Sequence, residues 1–181
     1  METGSINVRV LTPADAEAFW NVRLEALESE PTGFGSSPAK HRKISIEEIR
    51  TRLTADPSEY FFVGVFADGK LSGLAGFIRE SGEKERHKGT VVGVYLNKGL
   101  RGRGIGRAMI QALLDRAAKI EGLEQILLKV STTQSAAMAT YRSLGFKSFG
   151  LEVRALRVDG QYIDEESMVL TLSPKAVPSS A

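Results

Sequence analysis

Arg101-Gly102-Arg103-Gly104-Ile105-Gly106-Arg107 joins an apolar, strand-like run at residues 90–97 to a long amphipathic segment, and its reading decides the fold. Glycines let a backbone turn tightly and approach a ligand without interference from a Cβ. Where such a turn opens a helix, the first-turn N–H groups point outward with the positive end of the helix dipole behind them. Arg101, Arg103 and Arg107 add charge that can pair with phosphate oxygens. The segment therefore reads as a cradle for a pyrophosphate; the plainer alternative is a glycine-rich turn with solvated arginines.

Beyond the turn, Ile105, Met109, Ala112, Leu113, Ala117 and Ile120 recur at three- and four-residue spacing, predicting an amphipathic helix that Gly122 ends. Residues 125–130 then read as a buried strand and residues 135–144 as a second helix closed by Gly145, a β-α-β-α run. Residues 146–158, a turn at Asp159-Gly160 and a strand at residues 168–172 predict antiparallel closure of the sheet. Residues 173–181, with two prolines and three serines, read as a frayed tail, leaving one domain at residues 1–172.

Before the turn, residues 7–11 alternate as a strand. Thr12-Pro13-Ala14-Asp15 then starts a helix that runs to residue 29. Residues 30–43 carry Pro31, Gly33, Gly35, Ser36, Ser37 and Pro38 and read as a long loop of the kind that serves a ligand. Ser45 and Glu48 match a capping box opening a short helix to residue 55. Asp68-Gly69 separates the β-rich runs 60–67 and 70–79 and predicts a type I′ hairpin, while residues 80–89 read as a charged loop.

The chain's 181 residues, 42% hydrophobic and 25% charged, suit one compact domain with a real core. With no cysteine, the sequence excludes a disulfide framework, a thiolate metal site and an acyl-cysteine intermediate. His41 and His87 are the only histidines and form no His-x-x-x-His pair, so no metal is expected. A net charge of +2 is too small a footprint for nucleic acid, and no apolar run approaches the ~20 residues that span a bilayer. The polar start at residues 1–7 lacks a secretory signal, so the protein reads as cytoplasmic.

A P-loop is excluded because no Gly-Lys-Ser or Gly-Lys-Thr follows the turn. A dinucleotide fingerprint fits poorly, since Gly102, Gly104 and Gly106 lack the final Gly-x-x-Gly step and Lys129-Val130 occupy the place of the ribose-binding acid. The chain instead resembles the GNAT superfamily of N-acetyltransferases, whose coenzyme loop is Arg/Gln-x-x-Gly-x-Gly/Ala: Arg101, Gly104 and Gly106 fill it. Its second signature, Asn, Ala and Tyr at relative positions 0, 3 and 7 followed by Gly-Phe, is met by Gln134, Ala137, Tyr141 and Gly145-Phe146, with Gln in place of Asn. The likeness runs from about residue 7 to residue 172.

The resemblance implies an α/β fold: a mixed, mostly antiparallel seven-stranded sheet, splayed between its fourth and fifth strands and flanked by about four helices. It implies acetyl-CoA as the acyl donor, with Val94, Tyr95 and Leu96 lending backbone to the pantetheine arm and Gly102, Arg103, Gly104, Ile105, Gly106 and Arg107 holding the pyrophosphate. The N–H near Leu96 is the expected oxyanion donor, and Tyr141 the residue that protonates the departing thiolate. Family positions for a carboxylate base fall on Thr90 and Lys129, which cannot serve, leaving Glu80, Glu83, Glu85 and His87 as candidates or water as the proton carrier. Expected cleft walls are residues 30–43, 80–89 and 159–166, with Asp164, Glu165 and Glu166 available to attract a cationic amine. The implied reaction is direct attack of a small-molecule or peptide amine on the thioester. The alternatives are a coenzyme-binding domain without turnover and a nicotinamide-binding protein. Homodimers are common in the family, though nothing in the sequence demonstrates one.

Overall fold

The computed structural model describes residues 5–172, so the tail expected at residues 173–181 lies outside them. Seven strands form one sheet in the order β1 (Ile6–Val10), β2 (Tyr60–Ala67), β3 (Lys70–Arg79), β4 (Lys88–Leu96), β5 (Gln125–Ser131), β7 (Gln161–Thr171), β6 (Lys147–Val158). All neighbours are antiparallel except β4 and β5, which run parallel. Five α-helices flank the sheet where about four are expected: α1 (Ala16–Ser29), α2 (Pro38–His41), α3 (Ile46–Arg52), α4 (Ile105–Ala117) and α5 (Ser135–Ser143).

The extra helix is α2, inside the segment read as a loop. Ser37 accepts a hydrogen bond from the Lys40 N–H and Pro38 takes the first helical position, so the turn carries its own cap. A single 3-10 turn at Pro13–Asp15 precedes α1, and the Asp15 carboxylate accepts the Thr12 N–H at 2.7 Å and the Arg9 guanidinium at 2.8 Å. Ser45 and Glu48 form the expected reciprocal cap of α3. Asp68-Gly69 and Asp159-Gly160 both take left-handed backbone, as a type I′ turn demands.

The sheet is packed on both faces. On one, Met109, Ile110, Leu113 and Ala117 of α4 cover Val63, Val65, Ala75 and Phe77. On the other, Phe19, Val22 and Ala26 of α1 cover Phe62, Phe66 and Leu74, with the Phe19 and Phe62 rings edge-on at 4.8 Å. Each of the larger side chains, Val, Ile, Leu, Met or Phe, contributes roughly 1.5–3 kcal/mol through burial, which fixes these helices as rigid walls on opposite sides of the sheet.

Two irregularities in β4 make room for a site. Leu74 pairs with Tyr95 and Gly76 with Val92, so Gly93 and Val94 stand opposite Ala75 in a bulge, and Gly93 takes φ +63°. Farther along, β4 and β5 pair only at Lys88–Gln125, Gly89–Ile126 and Thr90–Leu127 before they part. The splay expected between the fourth and fifth strands is present. β7 is much longer than the expected residues 168–172, because its polar stretch Glu165–Ser167 is paired between β5 and β6.

Candidate active site

Where β4 and β5 part, a cleft of about 900 Å³ passes between them. From the α4 side it is lined by Gly102, Gly104, Gly106 and Arg107, and by Gln134, Ala137, Thr140 and Tyr141 of the α5 segment. From the α1 side it is lined by Arg23, Glu30 and the loop Gly33 to Ser36. Val94, Tyr95 and Leu96 form its β4 edge, and Arg101 joins them from the turn that follows. Of the residues expected to hold the coenzyme, Arg103 and Ile105 stay off the lining: Arg103 faces solvent, and Ile105 is 8% exposed and belongs to the core under α4.

Gly102 and Gly104 have φ of +72° and +76°, and nothing lies within 4 Å of where a Cβ on either would stand. Ala108 is the first amide of the helix to bond back, to the Gly104 carbonyl. The amides ahead of it are left to a ligand, with the dipole of a 13-residue helix behind them. An open-faced turn with free donors suits a pyrophosphate, so the residues present fit coenzyme A.

Asn97 donates its N–H to the Ser72 carbonyl, making that pair the hydrogen-bonded one. The next pair, Leu96 with Gly73, is then non-hydrogen-bonded. Alternation in an antiparallel ladder turns the Leu96 N–H away from β3, toward the gap. Arg101 is braced on both sides, its Nε donating to the Leu96 carbonyl at 2.9 Å and its Nη2 lying 3.0 Å from Glu30.

Tyr141 is 6% exposed and packs edge-on against Phe146 at 5.8 Å, while it lines the cleft. Burial pushes its phenol well above the ordinary tyrosine range, so it stays protonated at neutral pH. Gln134 precedes α5, and its Nε2 lies 3.5 Å from where a Cβ on Gly33 would stand, so the side chain reaches the opposite wall.

The expected acid–base groups sort cleanly. None of Glu80, Glu83, Glu85 or His87 lines the cleft, and residues 80–89 form no wall; Glu80 instead accepts a hydrogen bond from Thr90 at 2.8 Å. Thr90 and Lys129 do line it, with Lys129 held by Glu152 at 2.7 Å. Of the acidic trio, Asp164 accepts the Arg154 N–H and Glu166 pairs with Arg142, whereas Glu165, half-buried on β7, faces the cleft.

Arg23 is a wall residue that sequence reasoning passed over, whereas Phe34 falls within the expected wall at residues 30–43. The Arg23 guanidinium lies 4.5 Å over the Phe34 ring. Its charge looks like an ordinary solvated position on α1; burial follows only once residues 31–41 fold back over it.

Comparison with known proteins agrees with this geometry. Residues 21–146 match the model of the acetyltransferase (GNAT) family. The chain is 33% identical over 159 residues to the N-alpha-acetyltransferase RimI of Mycobacterium tuberculosis, covering 88% of this chain and 89% of that protein. It is 32% identical over 91 residues, about half of each chain (50% and 52%), to a Pseudomonas aeruginosa L-methionine sulfoximine/L-methionine sulfone acetyltransferase. The fold superposes on a GNAT-family acetyltransferase from Streptococcus pneumoniae with a TM-score of 0.82 at 20% identity, covering 93% of this chain and 100% of that one. It also superposes on yncA of Salmonella typhimurium, solved with its cofactor acetyl-CoA, with a TM-score of 0.81 at 20% identity, covering 98% and 99%.

The chain belongs to the GNAT acetyltransferase family. It is an acyltransferase that uses acetyl-CoA to acetylate an amine, and the nicotinamide-binding and turnover-free readings fall away. Among the described residues no helix is long and apolar enough to cross a membrane.

Proposed function

We propose that the protein acetylates an α-amino group by direct attack of the amine on the thioester, both substrates being held at once in the cleft between β4 and β5. The observation that carries this reading is that one cleft opens to both faces of the sheet, with the phosphate cradle on the α4 side and a separate wall from α1 and the following loop on the other. Acetyl-CoA, when bound, supplies an activated acyl group on a thiol leaving group. Gly102, Gly104, Gly106 and Arg107 hold its phosphates, and the edge of β4 at Val94, Tyr95 and Leu96 carries its arm. The Leu96 N–H stabilises charge building on the carbonyl oxygen. Tyr141 gives its proton to the departing sulfur. Glu165 draws the acceptor's ammonium into the cleft and passes its proton to water.

An α-amine is supported by RimI, named as an N-alpha-acetyltransferase and matched over most of its length, and by the L-methionine sulfoximine/L-methionine sulfone acetyltransferase matched over about half. Thiol release from acetyl-CoA, measured with dipeptide amides, free amino acids and simple alkylamines, tests the reading. Turnover with the first two classes well above the third supports it; equal rates, or release only with alkylamines, reject the α-amine. The reading takes residues 1–172 as one domain acting in the cytoplasm. It also takes the protein as a homodimer, supported by the exposed row Phe149, Leu151 and Val153 along edge strand β6. Sedimentation equilibrium tests the last point.

A further inference from the structure

A cation with no hydrogen-bond or ion-pair partner among the described residues lies in the acceptor half of the cleft. Arg23 Nη1 is buried and makes no hydrogen bond among the described residues. A buried donor normally finds a partner, and a buried charge is costly without a counter-charge. Among the described residues no carboxylate comes within ion-pair range of Arg23, although ten such pairs form elsewhere among them. The guanidinium is held in place rather than loose. One face lies 4.5 Å from the centre of the Phe34 ring, and Nη1 is 3.6 Å from where a Cβ on Gly93 would stand. It is thus clamped between the loop after α1 and the bulge of β4, on the side of the sheet opposite the phosphate cradle.

We propose that Arg23 is a specificity-determining residue that takes the oxygen on the carbon beside the acceptor's amine, the carboxylate of an amino acid or the first carbonyl of a peptide. This rests on the reading of the cleft as an acetyl-transfer site for an α-amine. An acceptor entering from the α1 side meets Arg23 at the bulge, just before the backbone of Leu96. An oxygen there satisfies Nη1, and the clamp by Phe34 and Gly93 means little entropy is lost in aiming it. Because the bond is made while the amine is aligned, it also orients the nucleophile. An amine lacking that oxygen leaves the guanidinium desolvated and unpaired, so discrimination comes from a penalty on the wrong acceptor as well as a gain on the right one.

The test compares acceptors that differ only in that oxygen: L-methionine and L-alanine, their dipeptide amides Met-Ala-NH2 and Ala-Ala-NH2, and the decarboxylated amines 3-(methylthio)propylamine and ethylamine. Wild-type protein is measured beside Arg23→Met, which keeps a side chain over Phe34, and Arg23→Lys, which keeps the charge. The expected result is that Arg23→Met raises KM by about 10- to 100-fold for acceptors carrying the oxygen, a loss at least tenfold greater than for the decarboxylated amines. Arg23→Lys should recover part of that difference. The free amino acid and peptide arms identify which source of oxygen is preferred. Equal losses on all acceptors, with a matching fall in thermal stability, mean that Arg23 only supports the fold and overturn the proposal.

A second measurement does not depend on turnover. Calorimetry with CoA-saturated protein should detect N-acetyl-L-methionine or N-acetyl-Met-Ala-NH2 but not N-acetyl-3-(methylthio)propylamine, and Arg23→Met should abolish the difference. Binding of all three alike overturns the proposal even where no acceptor is acetylated. Failure of wild-type protein to release thiol with any amine, while this Arg23-dependent binding persists, overturns the acetyl-transfer reading instead.

Discussion

Arg101 Nη2 and the Glu30 carboxylate lie 3.0 Å apart and tie the turn before α4 to the loop after α1, the two walls of the cleft that come from opposite faces of the sheet. The same guanidinium holds the Leu96 carbonyl through Nε. One side chain thus links the phosphate cradle, the β4 edge and the acceptor wall. Glu30→Gln should change stability by less than about 1 kcal/mol, since Arg101 is substantially exposed and such pairs are screened. Arg101→Ala loses both contacts and should raise KM for acetyl-CoA about tenfold. Thermal unfolding together with initial rates separates the two; an equal effect of both variants on KM would reduce Arg101 to a brace.

Tyr141→Phe removes the hydroxyl while keeping the ring against Phe146. The expected fall in kcat is about 100-fold or more, with KM for acetyl-CoA within about twofold. A stopped-flow or steady-state trace that leaves kcat intact would remove Tyr141 from proton transfer.

The raised Tyr141 pKa also has a stability consequence. Above about pH 10 the unfolded chain ionises this phenol while the folded chain keeps it protonated, so the unfolded state binds fewer protons and stability falls as pH rises. Denaturant titrations between pH 8 and pH 11 should show this loss, reduced in Tyr141→Phe; no difference between the two proteins there would argue against a buried, un-ionised phenol.

Asp15 is held down to a pKa of about 2, chiefly by its hydrogen bond to Arg9. Its contribution is present in full above the unfolded value of about 4 and is lost as pH falls toward 2. At neutral pH Asp15→Asn should cost about 1–2 kcal/mol, allowing for the exposure of Arg9. The two proteins should converge in stability at the acid end of a urea titration series.

Glu165→Gln should lower kcat/KM for a cationic amine about tenfold, and more steeply at low ionic strength, because the lost interaction is a charge facing the cleft. Asp164→Asn and Glu166→Gln, whose carboxylates are engaged by Arg154 and Arg142, should show weaker salt dependence in the same assay.

Much of this was legible because it is local. The glycine turn, the Asp68-Gly69 hairpin and the Ser45–Glu48 cap each depend on residues within a few positions of one another, and the structure repeats them as read. The cap of α2 was equally local, in Ser37-Pro38, but it was masked by the glycines and prolines around it. The long β7 was hidden for a different reason. Asp164–Ser167 looks like a turn by composition, whereas part of that strand faces the cleft and needs no apolar side chain there. The acceptor wall was least legible. Whether Arg23 is buried or Glu80 meets the cleft depends on how distant segments fold back, and α1 carries no sign of it in its own spacing.

The short seam between β4 and β5 has a bearing on how such an enzyme changes over time. Leu96 sits on one half of the sheet, while Tyr141 follows the other, and the backbone register that joins the halves is the three rungs from Lys88–Gln125 to Thr90–Leu127, backed by α4 packing across both. A slip of one rung would carry them roughly 3.3 Å past each other, too far for a hydrogen bond to follow. Substitutions at this seam would therefore silence or retune the chemistry while leaving the proposed oxyanion donor and acid untouched.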